Sequence, residues 1–197
     1  MDKPDHKKIG LLGGSFNPAH DGHLEISQIA LDVLRLDQVW WMVSPGNPLK
    51  DKNDMAPFCE RFSSAENIAK DPNIIVTDIE SEMDTQFTID TLKGLKTKFP
   101  KTSFIWLMGA DNLAQFDQWK DWKEIANTVP FAIFNRPSYS SANETSVAAT
   151  ELKDYRIESS EAHTLYNLKP PAWVYYQKTD NPLSSTEIRR NNKRLHT

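Results

Sequence analysis

Apolar residues along the chain fall into short continuous runs separated by longer stretches in which they recur every three or four positions. The runs Ile9 to Leu12, Gln38 to Val43, Ser103 to Met108, Val129 to Phe134 and Ala172 to Tyr176 are bounded by Gly, Pro, Asn, Asp or Ser and read as buried strands, and Ile74 to Ile79 alternates into a further one, the third in chain order. Between them, Leu24 to Leu36 repeats Ile26, Ile29, Ala30, Val33 and Leu36 at helical spacing. Pro57 to Lys70 carries Phe58, Phe62, Ala65 and Ile68 on one face, and Asp71-Pro72-Asn73 stops it. Thr88 to Phe99 turns Ile89, Leu92 and Leu95 inward, and Asn112 to Phe116 looks helical. A short helix is expected near Asn143 to Leu152, while the rest of Tyr139 to Leu168 shows no readable period. Strand and helix alternate, which predicts an α/β fold of Rossmann type, a parallel sheet with helices on both faces.

At 197 residues and 39% hydrophobic content the chain can bury one substantial core, and no break in composition divides it, so residues 1–197 are expected to form a single domain. A net charge of −4 gives no general attraction to nucleic acid or to an anionic membrane. Phosphate binding would have to be local. The single cysteine, Cys59, excludes an internal disulfide, and the first eight residues are polar where a signal peptide needs an apolar centre. No apolar run approaches the ~20 residues of a membrane span. The expected location is cytoplasmic.

The most informative stretch is Gly13-Gly14-Ser15-Phe16-Asn17-Pro18-Ala19-His20-Asp21-Gly22-His23, lying between the first strand and the first helix. Glycines permit positive φ or a close approach to a ligand, and a helix start offers N–H groups and the positive end of its dipole to an anion. A phosphate suits it. His20 and His23, three positions apart, fall on one side of the first turn. A two-histidine metal site would need a third ligand, and Asp21 points round the helix.

Other candidates sit after strands. Lys50 follows the second strand, at the edge where ligands bind in parallel sheets, although a solvated loop lysine is equally ordinary. Gly109 and Asp111 end the fourth strand and suit a nucleoside beside a carboxylate, or a plain helix cap. Trp40, Trp41, Trp106 and Trp173 lie in strand runs, where packing explains them, and Trp122 is expected to pack against Ile125. Trp119 lies among polar residues and offers a ring face to a heteroaromatic ligand. Thr88 reads as an N-cap. In the tail, Ser184-Ser185-Thr186-Glu187-Ile188-Arg189 places hydroxyls at a helix start and a guanidinium one turn inside, which suits a polyphosphate; Ser184 and Glu187 also fit a capping box.

The segment Gly-Gly-Ser-Phe-Asn-Pro-x-His-x-Gly-His resembles the signature of the nucleotidylyltransferase superfamily, with Ser15 and Asn17 where many members carry Thr and Asp. Leu183-Ser184-Ser185-Thr186-Glu187-Ile188-Arg189 resembles its second signature, Ile-Ser-Ser-Thr-x-Ile-Arg, and Asn135-Arg136-Pro137-Ser138 its Arg-Pro-Gly turn, with Ser138 in the glycine place. Gln86-Phe87-Thr88-Ile89-Asp90-Thr91-Leu92 is similar to a segment of the nicotinate mononucleotide adenylyltransferases. The resemblance covers residues 7–136 and 172–194 and implies adenylyl transfer from ATP, with Mg²⁺, to nicotinate mononucleotide. It implies that His20 and His23 serve the ATP phosphates, His20 at the α-phosphate; that Gly14, Ser15, Phe16, Gly109, Asp111, Ser185, Thr186 and Arg189 bind ATP; and that Lys50, Thr88, Trp119 and Arg136 bind the acceptor. In this chemistry the acceptor's phosphate is the nucleophile and no protein nucleophile is required, so catalysis rests on positioning and on neutralising charge. Transfer to nicotinamide mononucleotide or phosphopantetheine, cytidylyl transfer, and a non-catalytic nucleotide sensor are the competing readings; the Thr88 segment and the chain length argue against other acceptors.

Overall fold

A computed structural model describes residues 6–46, 55–135, 146–177, 185, 188 and 189. In chain order these form β1 (Lys8–Gly14), α1 (Asp21–Val33), β2 (Gln38–Val43), α2 (Phe58–Ile68), β3 (Ile74–Thr77), α3 (Ile79–Glu82), α4 (Thr88–Lys98), β4 (Ser103–Gly109), α5 (Ala110–Leu113), α6 (Trp122–Thr128), β5 (Phe131–Phe134), α7 (Val147–Glu151), β6 (Arg156–Ile157) and β7 (Trp173–Tyr176). Short 3₁₀ turns occupy Phe116–Gln118, Lys153–Tyr155 and Ser159–Asn167.

The seven strands form one sheet in the order β3-β2-β1-β4-β5-β7-β6, and every pairing is parallel. Alternation along each strand divides the core between the two faces. Phe104, Trp106 and Met108 of β4 join Leu92 and Leu95 of α4 and Ile125 of α6 in one layer; Ile105 and Leu107 join Ile26 and Ala30 of α1 and Ala65 of α2 in the other. Strands buried on both sides explain why the sequence shows continuous apolar runs in place of alternation. The chain leaves β1 towards β2 and β3, then returns to lay β4 on the other side of β1. In open parallel sheets ligands bind at such a reversal, here outside the carboxyl ends of β1 and β4.

Several boundaries differ from the sequence reading. β1 runs through Gly13 and Gly14, which pair with Met42 and Val43, so the glycines lie in the strand and the turn begins after them. No described glycine has positive φ; in the turn that role falls to Phe16, at φ 45°. Gly13 is needed for packing instead: a Cβ there would lie 2.6 Å from Cη2 of Trp106. β3 stops at Thr77, whose hydroxyl accepts from Ile79 N–H at 3.2 Å and turns the chain into α3, with Ile79 still buried. α3 then runs on to Glu82, past the expected end of the strand at Ile79. β5 begins only at Phe131, because Val129 closes α6 and Pro130 has no N–H for the ladder. In the unreadable stretch, β6 pairs with β7, and Ala162 and Leu165 of the last 3₁₀ turn enter the core.

Candidate active site

The turn after β1 is held in place on both sides. Phe16 buries its ring between Trp41, stacked at 5.1 Å, and His23, tilted at 4.8 Å. Trp41 Nε1 donates to Ser27 Oγ at 2.7 Å, and that hydroxyl donates to the His23 carbonyl at 2.8 Å. The Phe16 side chain therefore belongs to the core and supports the histidines, so any contact of Phe16 with a nucleotide would come from its backbone.

His20 is the N-cap of α1, and the two histidines form a reciprocal capping box. His20 Nδ1 accepts from Gly22 N–H at 3.1 Å, and His23 Nδ1 accepts from His20 N–H at 3.2 Å. A neutral imidazole that accepts at Nδ1 carries its proton on Nε2. Both rings are thereby set as Nε2–H donors, with centroids 3.9 Å apart. Capping by histidine explains why α1 starts at Asp21, ahead of the first apolar repeat. Asp21 itself is exposed.

The tail reaches this turn across the length of the chain. Ser185 Oγ donates to the Pro18 carbonyl at 2.9 Å, and Arg189 Nη1 donates to the Asn17 carbonyl at 2.6 Å. The two segments that carry the strongest sequence signals thus meet on one turn, in which the Asn17–Pro18 peptide is cis. Thr186, Lys50 and Arg136 lie outside the described residues.

Three strand ends present buried polar atoms that lack a hydrogen-bond partner among the described residues: Ser15 Oγ after β1, Asp111 Oδ1 after β4 and Asn135 Oδ1 after β5. An unpaired buried oxygen costs about 1–3 kcal/mol, so these three make that edge a candidate ligand site. Asp111 is not a helix cap. Gly109 is the N-cap of α5, without a side-chain bond, and Asp111 lies inside the helix with Oδ1 buried. In the sequence Asn135 stands only as the first residue of the turn Asn135 to Ser138; its position directly after an apolar strand was the signal that it could face a ligand.

On the other side of β4, Trp119 is half-buried with its ring edge-on to Trp106 at 6.1 Å and to Phe116 at 5.5 Å. Its neighbour Lys120 reaches back to α4, over the Phe87 ring at 4.4 Å and against Asp90 at 3.1 Å. The Trp119 segment and the first turn of α4, which holds Thr88, are thereby brought together. Thr88 is not the N-cap of α4: Phe87 is, without a side-chain bond, and Thr88 is the first helical residue. Trp122 packs on Phe116 at 5.8 Å.

Two buried charged groups were missed in the sequence: Arg61 lies on a helix that reads as amphipathic, and Glu80 directly follows the run read as the third strand. Arg61 of α2 is 2% exposed and points its guanidinium at backbone carbonyls; burial pushes its pKa down. Glu80 of α3 is buried, and that burial raises its carboxyl to about 7, against the opposing hydrogen bond from Thr91 Oγ1 at 3.4 Å. Thr91 Oγ1 is also 2.9 Å from Thr85 Oγ1, so Glu80 braces the loop that leads to Thr88.

A parallel sheet with its reversal at β1 and β4 and a capped pair of histidines beside it defines an α/β nucleotide-binding protein of the His-x-Gly-His kind. The chain belongs to the cytidylyltransferase-like family, whose model matches residues 11–191. It is 50% identical over 182 residues to a protein of Gluconobacter oxydans and 47% identical over 182 residues to one of Parvibaculum lavamentivorans, both named "Probable nicotinate-nucleotide adenylyltransferase". These alignments cover 92% of this chain and 93% and 90% of the two relatives. Among solved structures, the nicotinic acid mononucleotide adenylyltransferase of Plasmodium falciparum complexed with NaAD superposes with a TM-score of 0.69 at 21% identity, over 94% of this chain and 83% of that one, which establishes the shared fold. Among the described residues no helix is long and apolar enough to cross a membrane.

Proposed function

We propose that this chain transfers the adenylyl group of ATP to nicotinate mononucleotide, giving deamido-NAD and pyrophosphate. A phosphate oxygen of the mononucleotide attacks the α-phosphorus in line. The bond from that phosphorus to the bridging oxygen of the leaving group breaks, and the electron pair departs with pyrophosphate. The observation that carries the reading is the meeting of Ser185 and Arg189 with the Asn17–Pro18 carbonyls beside the His20–His23 pair. Cationic and N–H donors from the two ends of the chain converge there, as a triphosphate requires. The names of the relatives supply the acceptor.

In this reading the Nε2–H groups of His20 and His23 donate to the ATP phosphates, His20 at the α-phosphate where charge develops. Gly14, Ser15 and the Phe16 backbone line the phosphate turn. Gly109 and Asp111 take the adenosine, and Ser185, Thr186 and Arg189 take the β- and γ-phosphates. Lys50, Thr88, Trp119 and Arg136 hold the acceptor, Thr88 and Trp119 at the pyridine ring. The reading takes Mg²⁺ as arriving on the phosphate oxygens of ATP. When bound, the ion neutralises charge on the polyphosphate. The proposal includes one nucleotidylyltransferase domain working in the cytoplasm.

The test is product analysis with purified protein, ATP and nicotinate mononucleotide, with CTP and phosphopantetheine as alternative substrates. Equimolar pyrophosphate and deamido-NAD are expected. Pyrophosphate release only with CTP or phosphopantetheine would move the chain to another branch, and ATP binding without release would make it a sensor.

A further inference from the structure

Arg61 is the largest buried charged side chain among the described residues, and none of its partners is acidic. Nε donates to the Ala56 carbonyl at 3.0 Å, Nη1 to Ser15 at 2.6 Å and to Ser44 at 2.9 Å, and Nη2 to Pro45 at 3.3 Å. The Phe58 ring lies 5.4 Å from its central carbon. These carbonyls belong to three separate segments: the phosphate turn after β1, the loop after β2 and the approach to α2. Four charge-assisted bonds from one planar fork fix those segments relative to one another, which an ammonium on a flexible stem would not do.

The placement matters because each segment leads to a different part of the site. Ser15 precedes Phe16 and the histidine cap. Ser44 and Pro45 lie on the chain shortly before Lys50. Ala56 N–H donates to Asn17 Oδ1 at 3.2 Å, while the Asn17 carbonyl accepts from Arg189. The turn is thus bonded by two arginines, by Arg61 at the Ser15 carbonyl and by Arg189 at the Asn17 carbonyl.

We propose that Arg61 is a positioning residue for adenylyl transfer: it locks the ATP-phosphate turn and the loop after β2 in the relative geometry that in-line attack needs, without touching either substrate. The proposal rests on the transfer reading above. Misplacing two substrates relative to one another lowers turnover more than it weakens the binding of either. A residue that only stabilised the fold would lower the melting temperature and leave each folded molecule fully active.

The experiment compares the parent enzyme with Arg61→Lys, which keeps the charge and loses the fork, and Arg61→Gln, which keeps part of the reach and loses the charge. Each is assayed at a temperature below its own melting transition. Full pyrophosphate release by the parent comes first, since its failure would sink the transfer reading before Arg61 is at issue. The expected result is a kcat lowered at least roughly tenfold in both variants, with KM for ATP and for the mononucleotide each within about threefold of the parent. Turnover per folded molecule within twofold of the parent in Arg61→Lys would overturn the proposal. So would a rise in either KM that accounts for the whole loss, or the absence of a folded baseline in both variants, which would assign Arg61 to the fold.

Discussion

Arg189 Nη1 donates to the carbonyl oxygen of Asn17 at 2.6 Å, joining residues 172 positions apart in the chain. The bond ties the tail to the turn that carries His20, so in the proposed function Arg189 is both a phosphate ligand and the clamp on that turn.

Arg189→Ala should accordingly lower kcat as well as raise KM for ATP. Losing a charge-assisted donor is worth about 1.5–3 kcal/mol, or roughly ten- to a hundredfold in kcat/KM for ATP. Binding of nicotinate mononucleotide to the free enzyme, followed by calorimetry, should change little. Equal weakening of both substrates would place Arg189 in the framework or at the acceptor.

The cap that His20 forms and the donor role that the proposed function gives it can be separated by substitution. Alanine removes the cap and the Nε2–H donor together; asparagine, a good N-cap, restores the bond to the Gly22 N–H but not the donor. His20→Ala should lower kcat roughly 10²-fold or more and cost about 1 kcal/mol of stability. His20→Asn should recover the melting temperature and leave kcat low. Recovery of turnover with the cap would mean that His20 serves only to start α1.

Much of this arrangement is legible in the sequence, for identifiable reasons. The strands announce themselves because both faces are buried, and α1 and α4 because Ile26, Ala30, Leu92 and Leu95 recur at helical spacing. The phosphate turn and the tail stand out because their residue types are unusual together. Arg61 and Glu80 could not be read that way: a charge on an amphipathic helix, or just past the end of a strand, is ordinarily solvated, and only the fold shows that carbonyls from distant loops surround one and that Thr91 bonds the other. Positive φ at Phe16, where glycines lie two and three residues earlier, is likewise imposed by packing, since the Phe16 ring is fixed by Trp41 and His23. The 3₁₀ turns and two-residue β6 are too short to develop a period.

Glu80 gives a pH dependence with a definite sign. Its carboxyl is raised from 4.5 to about 7 in the folded state, so the neutral form is the one the fold favours. Stability from this group is complete below about pH 4.5 and is lost as pH rises through about 7. Relative to the parent, Glu80→Gln should grow more stable from pH 5 to pH 8, by a difference on the order of 3 kcal/mol at most. Denaturant melts at a series of pH values check this. A constant difference between the two proteins would show that Glu80 does not change protonation on unfolding.

Gly13 tests the packing behind the site. Alanine would place its Cβ 2.6 Å from Cη2 and 3.1 Å from Cζ2 of Trp106, and overpacking of this kind costs about 1–3 kcal/mol. Trp106→Phe removes those atoms. Gly13→Ala should therefore cost less in the Trp106→Phe background than in the parent, a coupling read from thermal melts of the four proteins. Strictly additive losses would show that the indole is not what excludes a side chain at Gly13.

Acceptor choice tests the central claim most directly. Nicotinate mononucleotide carries a carboxylate where the nicotinamide form carries an amide, so discrimination needs hydrogen-bond donors at that end of the ring. The first turn of α4 at Thr88 offers N–H groups and a hydroxyl, and Lys120 lies over the adjacent Phe87. Donors contribute more to a charged partner than to a neutral one, and the amide's NH₂ would meet them unpaired. Steady-state rates with the two mononucleotides, measured side by side at saturating ATP, should give a kcat/KM at least roughly tenfold higher for the acid, about 1.4 kcal/mol. Equal rates, or a preference for the amide, would contradict the assignment of nicotinate mononucleotide as the acceptor.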